Sequence, residues 1–209
     1  MKKTIFTIIA FIANVTLFAQ SIVQKIDNNI ARVSNFSGVL VFTDCTPIAP
    51  YNILGEVNSA AFSNSESVFM MSAGRMFFIS NGEMPQYTDI RDQLIANAVL
   101  ANRQVEGIII SLQKDGEGRA SLIKFTEVSE DNNLARVNSH QGMLVFTDCM
   151  PVNNYTYVGK INKAGGMTGD YNAIRDRLIK KSRKKYPNTQ GIITRLVSGG
   201  HDSAEAIKF

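Results

Sequence analysis

The feature of this chain that most constrains its fold is an internal repeat. The segment Asn28 to Val33 (NNIARV) recurs as Asn132 to Val137 (NNLARV), and Gly38 to Pro47 (GVLVFTDCTP) recurs as Gly142 to Pro151 (GMLVFTDCMP). Both pairs are separated by 104 residues. Matches of this length in the same order do not arise by chance, so the sequence predicts two tandem copies of one unit, made by an internal duplication.

The second part of each copy matches at a different spacing. The pattern Tyr-x-x-Ile-Arg-Asp-x-Leu-Ile at residues 87–95 recurs at residues 171–179, an offset of 84. The first copy therefore carries 104 − 84 = 20 extra residues. The predicted boundaries are residues 26–126 for the first copy, 60–82 for its hydrophobic insertion and 131–209 for the second copy.

Each copy has the hydrophobic pattern of an α+β unit in the order ββαββ. Apolar residues at helical spacing, behind the N-cap candidate Asp170, predict one helix in the second copy. Pro187 is expected to end that helix, and Pro47 and Pro151 are expected to end or kink strands. Because a unit of about 80 residues buries only a small core, we expect the two copies, each with one helix on a small sheet, to pack together with pseudo-twofold symmetry. The predicted strands are 39–43 and 51–57 in the first copy, and 143–147, 155–161, 191–197 and 204–209 in the second.

The motif that opens each copy resembles a known family. VFTDC-x-P, then Tyr and, in the first copy, Leu54-Gly55-x-Val57, then a helix that ends near Gly-Ile-Ile, is similar to the YbjQ-like small bacterial α/β domains. This resemblance implies the fold, assembly into ring oligomers and a heavy-metal-binding role. The sequence departs from the family before the third strand, where Thr189-Gln190-Gly191 stands in place of Gly-Ala-Asn.

The N-terminus has the parts of a secretory signal peptide. Met1-Lys2-Lys3 is basic, residues 5–18 are mostly apolar, and Ala19 is small. The apolar run is shorter than the about 20 residues of a membrane-spanning helix. We therefore predict residues 1–20 as the signal peptide, with an uncleaved anchor as the alternative, and a protein that is exported to the periplasm or secreted, with no transmembrane segment after cleavage.

The two cysteines occupy equivalent positions in the two copies. Cys45 and Cys149 each follow an aspartate, Asp44 or Asp148. Three hypotheses are open: two buried thiols, a disulfide that staples the copies in an oxidising compartment, and a metal site that uses both cysteines with the neighbouring aspartates. The aspartates are also expected to serve structurally in a turn, and to pair with the arginines of Arg91-Asp92 and Arg175-Asp176. His140 and His201 lie in predicted loops without zinc-ligand spacing.

Charge differs sharply between the copies. Residues 132–209 hold 12 basic and 5 acidic residues, whereas residues 20–131 hold 8 basic and 13 acidic residues. Most of the excess lies on the second predicted helix, which suggests a site for an anionic envelope component; a solvated helix face and attraction between the copies are the alternatives. Export and the lack of interleaved aromatic residues argue against nucleic acid. The basic residues are Arg175, Arg177, Lys180, Lys181, Arg183, Lys184 and Lys185.

The insertion has the pattern of an apolar hairpin. It predicts packing on the second copy or a contact with a protein partner or a second chain. Its methionines, with Met84, also suggest a soft-metal site, although methionine among aromatic residues is typical of packing. The residues predicted to make the contact are Phe69, Met70, Met71, Met76, Phe77 and Phe78.

These observations favour a non-catalytic binding or assembly module of the cell envelope. A metal-handling protein that uses Cys45 and Cys149 is the first alternative, and an enzyme is the second, since no catalytic motif marks the sequence. We expect no organic cofactor.

Overall fold

The computed structural model describes residues 27–59, 70–72, 75–77, 86–113, 117–162, 170–198 and 201–209. The predicted signal peptide lies outside these residues, as does most of the insertion. The described part is a mixed α+β structure that consists mostly of β-sheet. Neither of its helices is long and apolar enough to cross a membrane.

Both halves of the chain have the same order of elements, apart from the insertion. The first half contains β1 (Ile30–Val33), β2 (Asn35–Phe36), β3 (Val39–Thr43), β4 (Cys45–Pro47), β5 (Tyr51–Asn58), β6 (Met70–Ser72), β7 (Arg75–Phe77), α1 (Tyr87–Ala101), β8 (Gly107–Leu112) and β9 (Gly118–Phe125). After a 3-10 turn, the second half contains β10 (Leu134–Val137), β11 (Ser139–His140), β12 (Met143–Phe146), β13 (Cys149–Pro151), β14 (Thr156–Asn162), α2 (Tyr171–Lys185), β15 (Gly191–Arg195) and β16 (Ser203–Lys208).

Each half forms a five-stranded sheet. The strand order is β2-β3-β8-β9-β5 in the first half and β11-β12-β15-β16-β14 in the second. The one parallel pair in each sheet is β3 with β8 or β12 with β15. The connection between the two strands of each pair includes the helix and is long enough for the crossover that parallel strands require. The helix covers one face of the sheet, where Leu94 and Leu178 are buried among aliphatic strand residues.

The ends of α2 follow from its sequence. The Asp170 carboxylate accepts a hydrogen bond of 2.7 Å from the Ala173 backbone N–H, which confirms the predicted N-cap. The helix ends at Lys185, and Tyr186 closes the last turn by donating its backbone N–H to Ser182 at 2.7 Å. Pro187 follows, and its ring prevents a further turn.

A third sheet joins the two halves in the order β13-β1-β10-β4. β1 and β10 pair antiparallel at its centre, with Ala31 opposite Ala135. The short cysteine strands are exchanged: β13 pairs with β1 of the first half, and β4 pairs with β10 of the second. A core between the halves includes the fully buried Phe42 and Phe146.

The predicted order ββαββ is incomplete. The four predicted strands of each half are present, but β1, β2, β4 and their counterparts β10, β11 and β13 were not predicted. These strands have two to four residues, too few to show a period. β4 is separated from β3 because Asp44 adopts a left-handed conformation with φ of 55°, and Pro47 ends β4 at the edge of the joining sheet, where its missing N–H is tolerated.

Candidate functional site

Two polar clusters lie at the junction of the halves. Each contains an aspartate whose backbone is in the left-handed conformation. Asp44 and Asp148 have φ of 55° and 53°, a conformation that aspartate tolerates better than most residues. Backbone bonds of 2.8 Å hold both turns across the junction, from Asn138 to the Asp44 carbonyl and from Ser34 to the Asp148 carbonyl. Each turn thus sends the chain into the joining sheet and presents a carboxylate to the opposite half.

The second-half helix binds the first-half aspartate. Tyr171 donates its hydroxyl to the Asp44 carboxylate, and Arg175 Nη1 lies 3.1 Å from Asp44 Oδ1 and 3.2 Å from Oδ2. Burial and the Asp44 charge raise the pKa of Tyr171 well above its ordinary value, so the phenol keeps its proton. Because the Tyr171 hydroxyl donates its hydrogen to Asp44, the Thr147 hydroxyl at 2.8 Å donates to the Tyr171 oxygen.

The first-half helix binds the second-half aspartate in the same way. Tyr87 donates to Asp148 and lies 2.7 Å from the Thr43 hydroxyl, and Arg91 Nη1 is 3.2 Å from Asp148 Oδ1. Burial raises the pKa of Asp148, and the Arg91 charge only partly opposes that effect. Asp92 holds Arg91 from the other side at 2.8 Å.

The two clusters touch each other. The Tyr87 and Tyr171 ring centroids are 5.0 Å apart, and Thr43 lies opposite Thr147 in an antiparallel bridge. The predicted pairing of the arginines with the aspartates is present, and each pair crosses between the halves, which the sequence did not specify. The roles of the tyrosines and threonines were not predicted, although the recurrence of these residues in both halves was a signal for a shared role.

One difference between the clusters is the residue at the position of Phe36. Arg91 stacks on the Phe36 ring at 4.1 Å from its centroid. His140 replaces this phenylalanine in the second half, and its Nε2 lies 3.2 Å from Asp44 Oδ1, without the geometry of a hydrogen bond. The loop predicted for His140 was therefore wrong: it lies in β11 beside the Asp44 carboxylate.

Cys45 and Cys149 are brought together in the core between the halves. Both are free, buried thiols with 4% and 3% of their surface exposed. A hydrogen bond with Cys45, together with burial, raises the pKa of Cys149 well above its ordinary value. The raised pKa keeps the thiol protonated at neutral pH. The disulfide and the metal site stay predictions. Within the described ranges, no three His, Cys, Asp or Glu side chains are grouped to hold a metal ion.

Six of the seven basic residues of α2 fall into three groups, and the seventh, Lys184, is exposed. Arg175 points inward to Asp44. Lys181 and Lys185 extend toward β14, where they donate to the backbone carbonyls of Asn162 at 3.0 Å and Lys160 at 3.2 Å. The third group lines an open pocket of about 300 Å³. The residues that line this pocket are Gln141, Asp176, Arg177, Lys180 and Arg183.

The insertion is described only in part. The backbones of β6 and β7 pair antiparallel, with Met70 opposite Phe77, in agreement with the predicted hairpin. Phe69 and Phe78 lie outside the described residues, as do the side chains of Met70, Met71, Met76 and Phe77. The contact predicted for them, and the soft-metal hypothesis that includes Met84, stay predictions.

Comparison with known proteins finds no match among family models, curated proteins or solved structures. These comparisons do not bear on the resemblance to the YbjQ-like family, which also stays a prediction.

Proposed function

We propose that this protein is an exported, non-catalytic binding or assembly module of the cell envelope, and that it binds an anionic component through the outer face of α2. We further propose that its halves are duplicated ββαββ repeats with short added strands, related by a pseudo-twofold axis. The strand registers support the duplication, because Ala31 lies opposite Ala135, its equivalent at the offset of 104.

The polar residues common to both halves support a structural role for the junction. Each aspartate accepts from a tyrosine and an arginine of the opposite half, and each tyrosine hydroxyl also contacts a threonine. The side chains at both aspartates are about 85% buried and engaged with one another. Satisfied polar networks of this kind fix the relative position of packed elements.

The observation that carries the binding proposal is the difference between two helices that occupy the same place in the fold. Among the α1 residues equivalent to the seven basic residues of α2, only Arg91 is basic. The other six positions hold uncharged residues, so the frame common to both halves does not require a positive charge there. A cluster of cations on the outer face of a helix, at positions where the equivalent helix is uncharged, is typical of a surface for anions. The uncharged equivalents are Gln93, Ala96, Asn97, Val99, Leu100 and Ala101.

Binding to anionic surfaces tests this proposal. We expect the protein to sediment with phosphatidylglycerol vesicles, or to bind a soluble anionic polysaccharide, at low ionic strength and to be released as salt rises, since screening weakens such contacts. Neutral phosphatidylcholine vesicles are the matched control. The absence of binding to both anionic probes at low salt would contradict the proposed function.

A further inference from the structure

The pocket beside α2 is built from one side of the helix and one turn. Asp176, Lys180 and Arg183 are three or four residues apart and therefore lie on one side of α2. The turn that joins β11 to β12 closes the opposite side with Gln141, and Gly142 follows it with φ of 76°. A Cβ atom on Gly142 would lie 3.7 Å from Arg183 Nη2, so this guanidinium reaches close to the turn.

The three cations of the pocket are unengaged in the described part of the chain. Arg177, Lys180 and Arg183 form no hydrogen bond or ion pair with a described residue. On the same helix, Arg175, Lys181 and Lys185 all have such partners. The helix therefore presents basic residues that bind other parts of the fold and, apart from these and the exposed Lys184, basic residues that line the pocket.

The chemistry of the pocket identifies a class of ligand. Three cations against the Asp176 carboxylate leave a formal charge of 3 − 1 = +2, which matches a dianion. Arginine presents several N–H donors in a planar fork that suits phosphate. Asp176 is half-exposed, and Arg175 Nε lies at 3.5 Å from it, so its carboxylate can also accept from a ligand hydroxyl.

The size of the pocket favours a small group. Its volume of about 300 Å³ is at the lower end of small-molecule sites. We propose that this pocket binds a phosphate group carried on a small hydroxyl-bearing moiety, an inference that rests on the proposed function. The pocket is formed by Gln141, Asp176, Arg177, Lys180 and Arg183. The cations hold the phosphate, and Gln141 and Asp176 bind the hydroxyl groups.

The first half lacks the basic residues of this pocket at the equivalent positions and provides an internal comparison. The positions equivalent to the five lining residues hold one acid and no base, so the duplicated frame alone does not generate the site. These equivalents are Ser37, Asp92, Gln93, Ala96 and Val99.

Two triple variants test the pocket with equal loss of charge. R177Q/K180Q/R183Q removes the pocket cations, whereas K181Q/K184Q/K185Q removes three cations from the same helix and keeps the pocket. Calorimetry with glycerol 3-phosphate should show at least about tenfold weaker binding for the pocket variant and less than about threefold for the control. Glycerol and inorganic phosphate separate the hydroxyl and phosphate contributions, and thermal melts check that both variants fold.

The outcomes distinguish this inference from the proposed function. Equal weakening by both variants, or no binding of glycerol 3-phosphate to the unchanged protein, would overturn the pocket while binding of anionic vesicles still supports the broader proposal. If the unchanged protein binds glycerol 3-phosphate but not phosphatidylglycerol vesicles or anionic polysaccharide, the pocket proposal is supported with a soluble phosphate ester as the ligand. The proposed binding to an envelope component is then contradicted. Loss of vesicle binding in the pocket variant alone identifies a lipid headgroup as the source.

Discussion

The two halves of the molecule agree where they meet and differ where they face outward. At the junction, Tyr87 and Tyr171 make equivalent contacts to the aspartate of the opposite half. On the outer faces of the helices, Val99 in one half corresponds to Arg183 in the other. This contrast separates the residues that join the halves from those that vary on the outer surface, and the proposed binding site lies among the second group.

The largest expected effect comes from breaking one junction cluster. Asp148→Ala should lower the free energy of unfolding by about 3 to 5 kcal/mol, because it leaves the mostly buried Arg91 without this partner and places alanine at positive φ. Urea denaturation measures the change. Asp148→Asn, which tolerates the backbone conformation and keeps an acceptor, should cost less. Asp44→Ala should match Asp148→Ala; a cost below about 1 kcal/mol there would show that the clusters are not equivalent.

The second largest expected effect is on stability after oxidation of the cysteines, which both lie in the core between the halves. Oxidation of Cys45 and Cys149 by oxidised glutathione should form one disulfide across a separation of 149 − 45 = 104 residues. The bond should raise the free energy of unfolding by about 2 to 4 kcal/mol, because it constrains the unfolded chain. Alkylation followed by mass spectrometry counts the remaining thiols. Two alkylatable thiols in the unfolded protein after this treatment would contradict the prediction, and Cys45→Ser provides the control.

The smallest expected effect is on pH dependence. Burial raises the pKa of Asp148 in the folded state above the unfolded value of about 3.9. The folded protein therefore binds this proton more readily, so this group favours folding below the unfolded pKa and loses that contribution as pH rises through the folded pKa. Relative to Asp148→Asn, the free energy of unfolding of the unchanged protein should rise as pH falls from about 7 to about 4. A constant or falling difference would contradict the raised pKa.

The sequence predicted the regular parts of the fold better than the junction. The helices and the longer strands show a period within one copy, and the Asp170 N-cap is a local signal. The short strands β4 and β13 have no period to detect, and the exchange that pairs each with the opposite half is a long-range choice that no local pattern encodes. The basic helix was evident from its charge. Which of its cations face the pocket depends on Gln141 and on β14, which the chain places beside α2 only after folding.

The exchanged cysteine strands also determine the order in which parts of the fold can form. β1 finds its partners only among residues 134–151, more than 100 positions later in the chain. Neither half can pair its strands of the joining sheet by itself. Residues 134–151 therefore complete this sheet for the first half as well as for the second.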